Sequence, residues 1–235
     1  MSEHTHKQFD AEMEVIRSGV LAMGGLVETQ LARAISVLDD GQEEGTLDQV
    51  GAAEQQINRM QMTIDQQCSQ IIAKRQPAAI DLRLILTITK IVNDLERIGD
   101  EVKKVAYKAA QTRGSDGLTQ VRRHDVVRAA EQALVMLRIA LDVFARLDAA
   151  AAAEVIDRDE VVDDAFLAIL RQLISYMMED PRTITAALEI VFIAKSIERI
   201  GDHAKNIAEA VVQVVKGKDV RHASAEQIRA EVAEE

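Results

Sequence analysis

The five-residue word "ERIGD" stands twice in this 235-residue chain, as Glu96-Arg97-Ile98-Gly99-Asp100 and again as Glu198-Arg199-Ile200-Gly201-Asp202. The copies lie 102 residues apart (198 − 96), and the likeness extends beyond them. "DLERIGDEVKKVA" aligns with "SIERIGDHAKNIA", and each follows an apolar segment that begins at a proline, Pro77 or Pro181. Further upstream, Glu54-Gln55-Gln56-Ile57-Asn58 lines up with Asp159-Glu160-Val161-Val162-Asp163. The chain is therefore one unit written twice, each copy of about 100–120 residues and long enough to bury its own core. Whatever fold the unit adopts must be built twice and joined.

The residue usage makes that unit helical. Aromatic residues are 3%, tryptophan is absent, prolines number two, and Val and Ile recur at helical rather than alternating spacing. The pattern predicts helices at about 8–39, 47–75 and 78–111 in the first copy, with "DDGQEEGT" and "KRQP" as joints. The second copy should have helices at about 119–147, 152–179 and 182–216, with joints at an alanine-rich stretch and at "MEDP". Both prolines fall where one helix ends and the next begins. Helices of about 30 residues are about 45 Å long, and short joints make neighbours antiparallel. The expectation is an all-α protein of two tandem, pseudo-symmetric three-helix bundles, spanning 1–112 and 119–216. Residues 113–118, within and just after "TRGSDG", form the linker, and 217–235 a loose polar, acidic tail with some helix.

Charge and cysteine content narrow the function classes. With 39 acidic against 28 basic residues the net charge is −11, and no basic run with interleaved aromatics occurs, so nucleic acid is not an expected partner. No run of 18 apolar residues and no signal-like start are seen, which points away from membrane insertion and export. The single Cys68 fits a reducing compartment and reads as a small buried hydrophobe. The cytoplasm is the expected location.

Each word breaks two helix-building preferences. Two carboxylates four residues apart repel by about 0.2–0.5 kcal/mol, and a mid-helix glycine costs about 1 kcal/mol relative to alanine. In the second copy the apolar stripe runs Ile190, Ile193, Ile197, Ile200, Ala204, Ile207, Val211 and Val214. Glu198 and Asp202 sit one step around from it, with Asn206 continuing their row. In the first copy Glu96, Asp100 and Lys104 border Ile91, Leu95, Ile98, Val102 and Val105. The acids thus edge a core where a neighbouring helix can meet them.

Two readings of those acids stand side by side. In one they form a charged helix edge, balanced by Arg97 with Asp100, Asp100 with Lys104, and Asp202 with Lys205. In the other they bind metal, since side chains at i and i+4 share a face and can hold or bridge hard cations. Asp159 with Asp163 would complete the second set, and Glu54 with Asn58 the first. Glycine beside the acid would leave room for a cluster or a close backbone. Such oxygen ligands favour Mg, Mn, Ca or oxidised Fe.

Catalysis has little support. A di-iron oxidase bundle would show Glu-x-x-His on two helices, and neither copy does. His203 points about 100° away from the acid row and reads as a surface or packing residue. No Gly-x-Ser-x-Gly, P-loop or dinucleotide fingerprint is present.

With these residues in view, the chain resembles the PhoU family, cytoplasmic accessory proteins of bacterial high-affinity phosphate uptake and phosphate-responsive signalling. "IIAKRQPAAIDLRLIL", "DLERIGDEV", "YMMEDPRTI", "SIERIGDHAKNIAE" and "VKGKDVRH" all carry the likeness, over nearly the whole length. The resemblance implies two pseudo-symmetric three-helix bundles (a PhoU/Spo-like fold), a homodimer, and metal ions on each bundle. Its Glu/Asp-x-x-x-Asp motifs fall on Glu96 with Asp100 and on Glu198 with Asp202, with Asp159 and Asp163 as the second unit's partner pair. Glu54 and Asn58 are the first unit's pair, where asparagine would hold a metal more weakly or differently. Mg, Mn or Fe are the implied ions, with Zn as a further candidate.

By the same resemblance the chain is not an enzyme. It would be a negative regulator of the phosphate-starvation response, an adaptor between the ATPase subunit of the phosphate ABC transporter and the phosphate-sensing histidine kinase, modulating uptake. The competing expectation is a carboxylate-bridged metal-binding or metal-storage bundle with enzymatic or redox activity. Arg182, at the helix start in "EDPRTI", is either a partner contact or a local ion-pair partner of Glu179 or Asp180.

Overall fold

The structure is a computed structural model that describes residues 2–39, 45–112, 120–220 and 224–233. Helices α1 (Ser2–Asp39), α2 (Thr46–Arg75) and α3 (Ala79–Gln111) form the first unit, and α4 (Gln120–Arg146), α5 (Ala152–Glu179) and α6 (Ile184–Lys216) the second. A single 3-10 turn, Pro181–Thr183, joins α5 to α6, and a short α7 (Ala225–Ala233) follows. Among the described residues the fold is all-helical, two three-helix bundles as the duplicated sequence requires. The linker expected at 113–118 lies outside the described residues, as do positions 40–44 of the first joint.

The joints show local causes. At the end of α2, Gln76 turns left-handed (φ 49°) while its amide still donates to the Ile72 carbonyl at 3.1 Å, so the helix closes just before Pro77. Asp148 accepts from the amides of Ala150 and Ala151 at 3.0 and 3.1 Å, which orders the start of the alanine-rich entry to α5. Asp180 accepts from the Arg182 amide at 3.1 Å and so caps the proline turn.

The two bundles do not sit end to end as separate bodies. They lie side by side along two antiparallel seams and share one continuous core. At the α3/α6 seam Lys90 meets Gln213, Asp94 meets His203 and Asn206, Glu101 meets Arg199, and Lys108 meets Glu189, so one helix's numbers rise as the other's fall. At the α1/α4 seam the Arg17 guanidinium donates to the Ala145 carbonyl at 2.9 Å, and Arg138 pairs with Glu28 at 2.6 Å. Between these pairs Gly24 lets the helices close, because a Cβ there would lie 2.4 Å from a terminal methyl of Leu141. α2 packs on α1 and α3, and α5 on α4 and α6, so these two helices flank a four-helix layer.

The apolar stripes fill that layer. Ile91, Leu95, Ile98, Val102 and Val105 of α3 are fully buried, as are Ile200, Ala204, Ile207 and Val211 of α6. Burying each such branched side chain contributes about 1.5–3 kcal/mol relative to leaving it exposed. One stretch of α1, within Gln8–Asp39, is apolar enough by length and composition to cross a bilayer, but Val20, Met23, Val27 and Leu31 from it are fully buried in the bundle.

The polar C-terminal segment is docked rather than loose. Ser224 and Gln227 form a reciprocal capping box, the Ser224 amide donating to Gln227 Oε1 at 2.8 Å and the Gln227 amide to Ser224 Oγ at 3.2 Å. Ile228 and Ala225 of α7 are buried, Arg229 pairs with Asp157 of α5, and Lys216 Nζ donates to the Val232 carbonyl at 2.9 Å. A few apolar residues in an acidic setting carry too little periodicity to announce this packing.

Candidate functional site

Both acid rows end up along the grooves where α3 meets α2 and α6 meets α5, at matching heights across the seam. In the second unit the packing of α5 on α6 brings Asp159, Asp163 and Asp202 together, with one oxygen of each within 4.8 Å of the others. Among the described residues this is the one set of three carboxylates that converges so closely. Asp159 is almost fully buried at 4% side-chain exposure, whereas Asp163 and Asp202 are half-buried. Glu198 stands one turn before Asp202 and lies outside that set. Its Oε1 accepts from Lys195, whose ammonium also lies 5.3 Å from the ring centre of Phe166.

Two oxygens here lack any partner. Asp159 Oδ1 and Glu198 Oε2 are buried and accept no hydrogen bond, an arrangement that costs about 1–3 kcal/mol or more per group unless something fills it. Gly201 faces the first of them: a Cβ on Gly201 would lie 3.7 Å from Asp159 Oδ1, 3.5 Å from Val162 and 3.6 Å from Met136 Sδ. The glycine therefore leaves space for a methyl group and no more.

The electrostatics follow from crowding. Burial, and then the carboxylates of Glu198, Asp159 and Asp163, push Asp202 up to about 6, against the pull of Lys195. Burial, Asp159 and Glu198 likewise raise Asp163 above the usual aspartate range, with Lys205 and Lys195 opposing. Such a set binds protons or cations tightly because its members repel one another.

In the first unit Glu54, Asn58, Glu96 and Asp100 occupy the matching positions but do not form so tight a set. The Asn58 amide donates to Glu54 Oε1 at 2.9 Å, while Asn58 Oδ1 is buried without a partner. Glu96 is raised by burial and by Asp100, with Arg97 opposing and Glu54 adding to the rise. Sequence reasoning missed Gln30. It is fully buried on α1, donates to the Val50 carbonyl at 3.1 Å, and leaves its Oε1 unpartnered where a Cβ on Gly99 would lie 3.7 Å away. Its place against the glycine is taken by Met136 in the second unit. A lone glutamine in a helix carries no signal of burial.

The ion pairs expected within the helices do not form. Arg97 leans on Glu96 at 3.7 Å, Lys104 bonds Glu101 at 3.0 Å, and Lys205 reaches Asp159 on the neighbouring helix at 2.7 Å. Asp100 and Asp202 take no salt bridge among the described residues. The reason is tertiary: buried Glu101 and Asp159 draw the cations away from acids that water still reaches.

His203 is not in the acid row, as its position predicts. Its Nδ1 lies 2.8 Å from Asp94 Oδ1 across the seam. Arg182 makes a two-pronged contact with Asp180, both bonds 3.0 Å, while its side chain stays 89% exposed and so open to other contacts. Cys68 is buried, and burial with nearby Asp65 lifts its thiol to about 11, in keeping with a packing role.

Fold and site together define a duplicated three-helix-bundle protein with acid-lined grooves beside the seam. The PhoU domain model matches residues 20–109 and 126–211. A phosphate-specific transport system accessory protein PhoU homolog from Pseudomonas aeruginosa is 47% identical over 232 residues, covering 99% of this chain and 95% of the relative. The crystal structure of PhoU from Pseudomonas aeruginosa superposes with a TM-score of 0.83 at 48% identity, covering 89% of this chain and all of that one. The phosphate transport system regulatory protein PhoU from Streptococcus pneumoniae superposes at 0.82 with 25% identity, covering 90% of this chain and 99% of that one. The chain belongs to the PhoU family.

Proposed function

We propose that this protein is a negative regulator of the phosphate-starvation response, an adaptor that works in the cytoplasm between the ATPase subunit of a phosphate ABC transporter and a phosphate-sensing histidine kinase. The observation that carries this reading is family membership along nearly the entire length, with relatives named as accessory and regulatory proteins of phosphate transport. Long helical faces suit an adaptor, because they give two partners separate surfaces. We take it to act as a homodimer and without enzymatic turnover.

The converging carboxylates favour a second component, a bound hard cation. Unpartnered Asp159 Oδ1 and Glu198 Oε2, and the oxygens of Asp163 and Asp202, fit Mg, Mn or Fe in an all-oxygen donor set. In the first unit Glu54, Glu96, Asp100 and the neutral Asn58 oxygen would hold such an ion with less charge. When bound, the ion would supply positive charge that lets the acids sit together. The chain's own residues fix the oxygens on α2, α3, α5 and α6, so an ion would tie flanking helices to the seam.

The test is phosphatase output in phosphate-rich medium from a strain whose only copy carries Glu96, Asp100, Glu198 and Asp202 all changed to alanine, with protein level followed alongside. Deletion of the whole gene should derepress alkaline phosphatase, and continued repression would refute the regulator reading. Derepression by the four-residue variant at normal protein level would place the acids in signalling. The metalloenzyme alternative would be favoured instead by Fe(II) oxidation or phosphoester hydrolysis that Glu198→Ala abolishes.

A further inference from the structure

The repeated word extends to a lysine, Lys103 and Lys205, again 102 residues apart (205 − 103). Each lysine bypasses the acid on its own helix and bonds the matching carboxylate of the flanking helix. Lys103 Nζ lies 3.1 Å from Glu54 Oε2, and Lys205 Nζ lies 2.7 Å from Asp159 Oδ2. Glu54 and Asp159 are themselves equivalent in the two units. The same contact has thus been built twice from residues on four different helices, and in the second unit its acceptor is buried and its donor is 30% exposed.

We propose that Lys103 and Lys205 are internal cations that occupy the acid centres in the metal-free protein, and that an incoming divalent cation must displace them from Glu54 and Asp159. This rests on the metal-binding reading above. Asp159 offers two oxygens, of which Oδ2 is taken by the ammonium and Oδ1 has no partner. A divalent ion coordinated by the same carboxylate would lie close to the ammonium, and like charges at such range repel strongly in a partly buried site. Displacement is the low-energy outcome, since a lysine stem has four rotatable carbons and Lys205 already borders solvent.

The surroundings keep the resident ammonium charged. Burial works against the Lys205 charge, but the bond to Asp159 and the fields of Asp159, Glu209 and Asp163 outweigh it and hold the ammonium above its usual range. The second centre has a further lysine, Lys195 on Glu198, where the first has the neutral Asn93 at the equivalent place. Competition from a resident cation weakens metal binding, so the centres would fill and empty with the free ion concentration instead of staying permanently loaded.

A purely structural ion pair and a displaceable one give opposite signs in one experiment. Removing a structural lysine leaves the ligands less ordered and weakens metal binding. Removing a competing lysine strengthens it. The full-length chain, stripped with chelator, is titrated with Mn²⁺ and the free ion counted by electron paramagnetic resonance, for wild type, Lys103→Met, Lys205→Met and Lys205→Arg. The expected result is an affinity about tenfold higher in Lys205→Met at the second centre, a gain in Lys103→Met confined to the first, and weaker binding in Lys205→Arg, whose fork grips Asp159 harder. Unchanged or weaker binding in Lys205→Met, with Mn²⁺ still bound by wild type, overturns the proposal and leaves the metal reading standing. No Mn²⁺ bound by any of the four proteins overturns both. If Lys205→Met fails to fold, Lys205→Arg decides: binding equal to or tighter than wild type overturns the proposal.

Discussion

Arg199, the arginine of the second repeated word, reaches across the seam to Glu101, the residue that follows the first word, with Nη1 2.8 Å from Oε1. Glu101 is 3% exposed and has Lys104 as its second partner. The pseudo-symmetric contact does not exist, because His203 stands in the second unit where Glu101 stands in the first. Instead His203 pairs with Asp94, so the seam carries two different polar links where perfect duplication would have placed the same one twice.

Arg199→Met leaves buried Glu101 with a single, half-exposed cation, and is expected to destabilise the fold by about 1–3 kcal/mol. Adding Glu101→Gln should restore part of the loss, since a neutral amide tolerates burial better. Urea unfolding of the two variants checks this, and an unchanged midpoint in Arg199→Met would show the link to be energetically neutral.

The pH dependence of stability should carry the mark of Asp202. An acid whose folded pKa lies above its unfolded value is bound more tightly to its proton when folded. Its contribution is therefore largest below the ordinary value of 3.8, fades as pH rises toward about 6, and is flat above that. Asp163 and Glu96 shift in the same direction. For a rise of Asp202 from 3.8 to about 6 the unscreened loss is about 3 kcal/mol, reduced to about 1 kcal/mol by the half-exposed position. Chelator-treated protein should lose that stability between those pH values in thermal or urea unfolding, and Asp202→Asn should flatten the slope.

Gly201 should accept alanine and reject anything larger. A methyl group there makes ordinary contacts with Val162, Met136 and Asp159 Oδ1, and the helix gains up to about 1 kcal/mol from the better former. Gly201→Val adds bulk where α4, α5 and α6 already touch, and is expected to cost about 1–3 kcal/mol. Melting temperatures of the two variants separate these outcomes, and equal destabilisation by both would show that the helices leave no space at all.

Cys68 should resist alkylation in the native protein. Its thiol is buried and raised to about 11, so the reactive thiolate is scarce at neutral pH. Iodoacetamide should label it at the rate of unfolding, measured by mass spectrometry with and without denaturant. Fast labelling of the folded chain would place the thiol at an opening in the α2 packing.

Much of the architecture was legible in the primary structure because it rests on local periodicity. The 3–4 spacing of isoleucine and valine located the buried faces of α3 and α6, the prolines located the joints, and the 102-residue repeat fixed the number of bundles. The i, i+4 acids were legible for the same reason, since neighbours on one helix face are set by the helix itself. α7 was legible only as some helix in the tail, because its docking depends on Ile228 finding a place among the bundle helices.

What only the tertiary structure decided is which charges meet. Intrahelical spacing paired Lys205 with Asp202 and Lys104 with Asp100, yet the lysines went to Asp159 and Glu101. A carboxylate stripped of water draws a nearby cation more strongly than one at the surface, and burial is a property of how helices pack, which no single helix carries. The same holds for Gln30, Arg199 and the unpartnered oxygen of Asp159. The sequence by itself determined two helical bundles with acid-edged cores. The packing of α5 on α6 and of α3 against α6 decided which acids converge, which are neutralised, and which remain open for a cation.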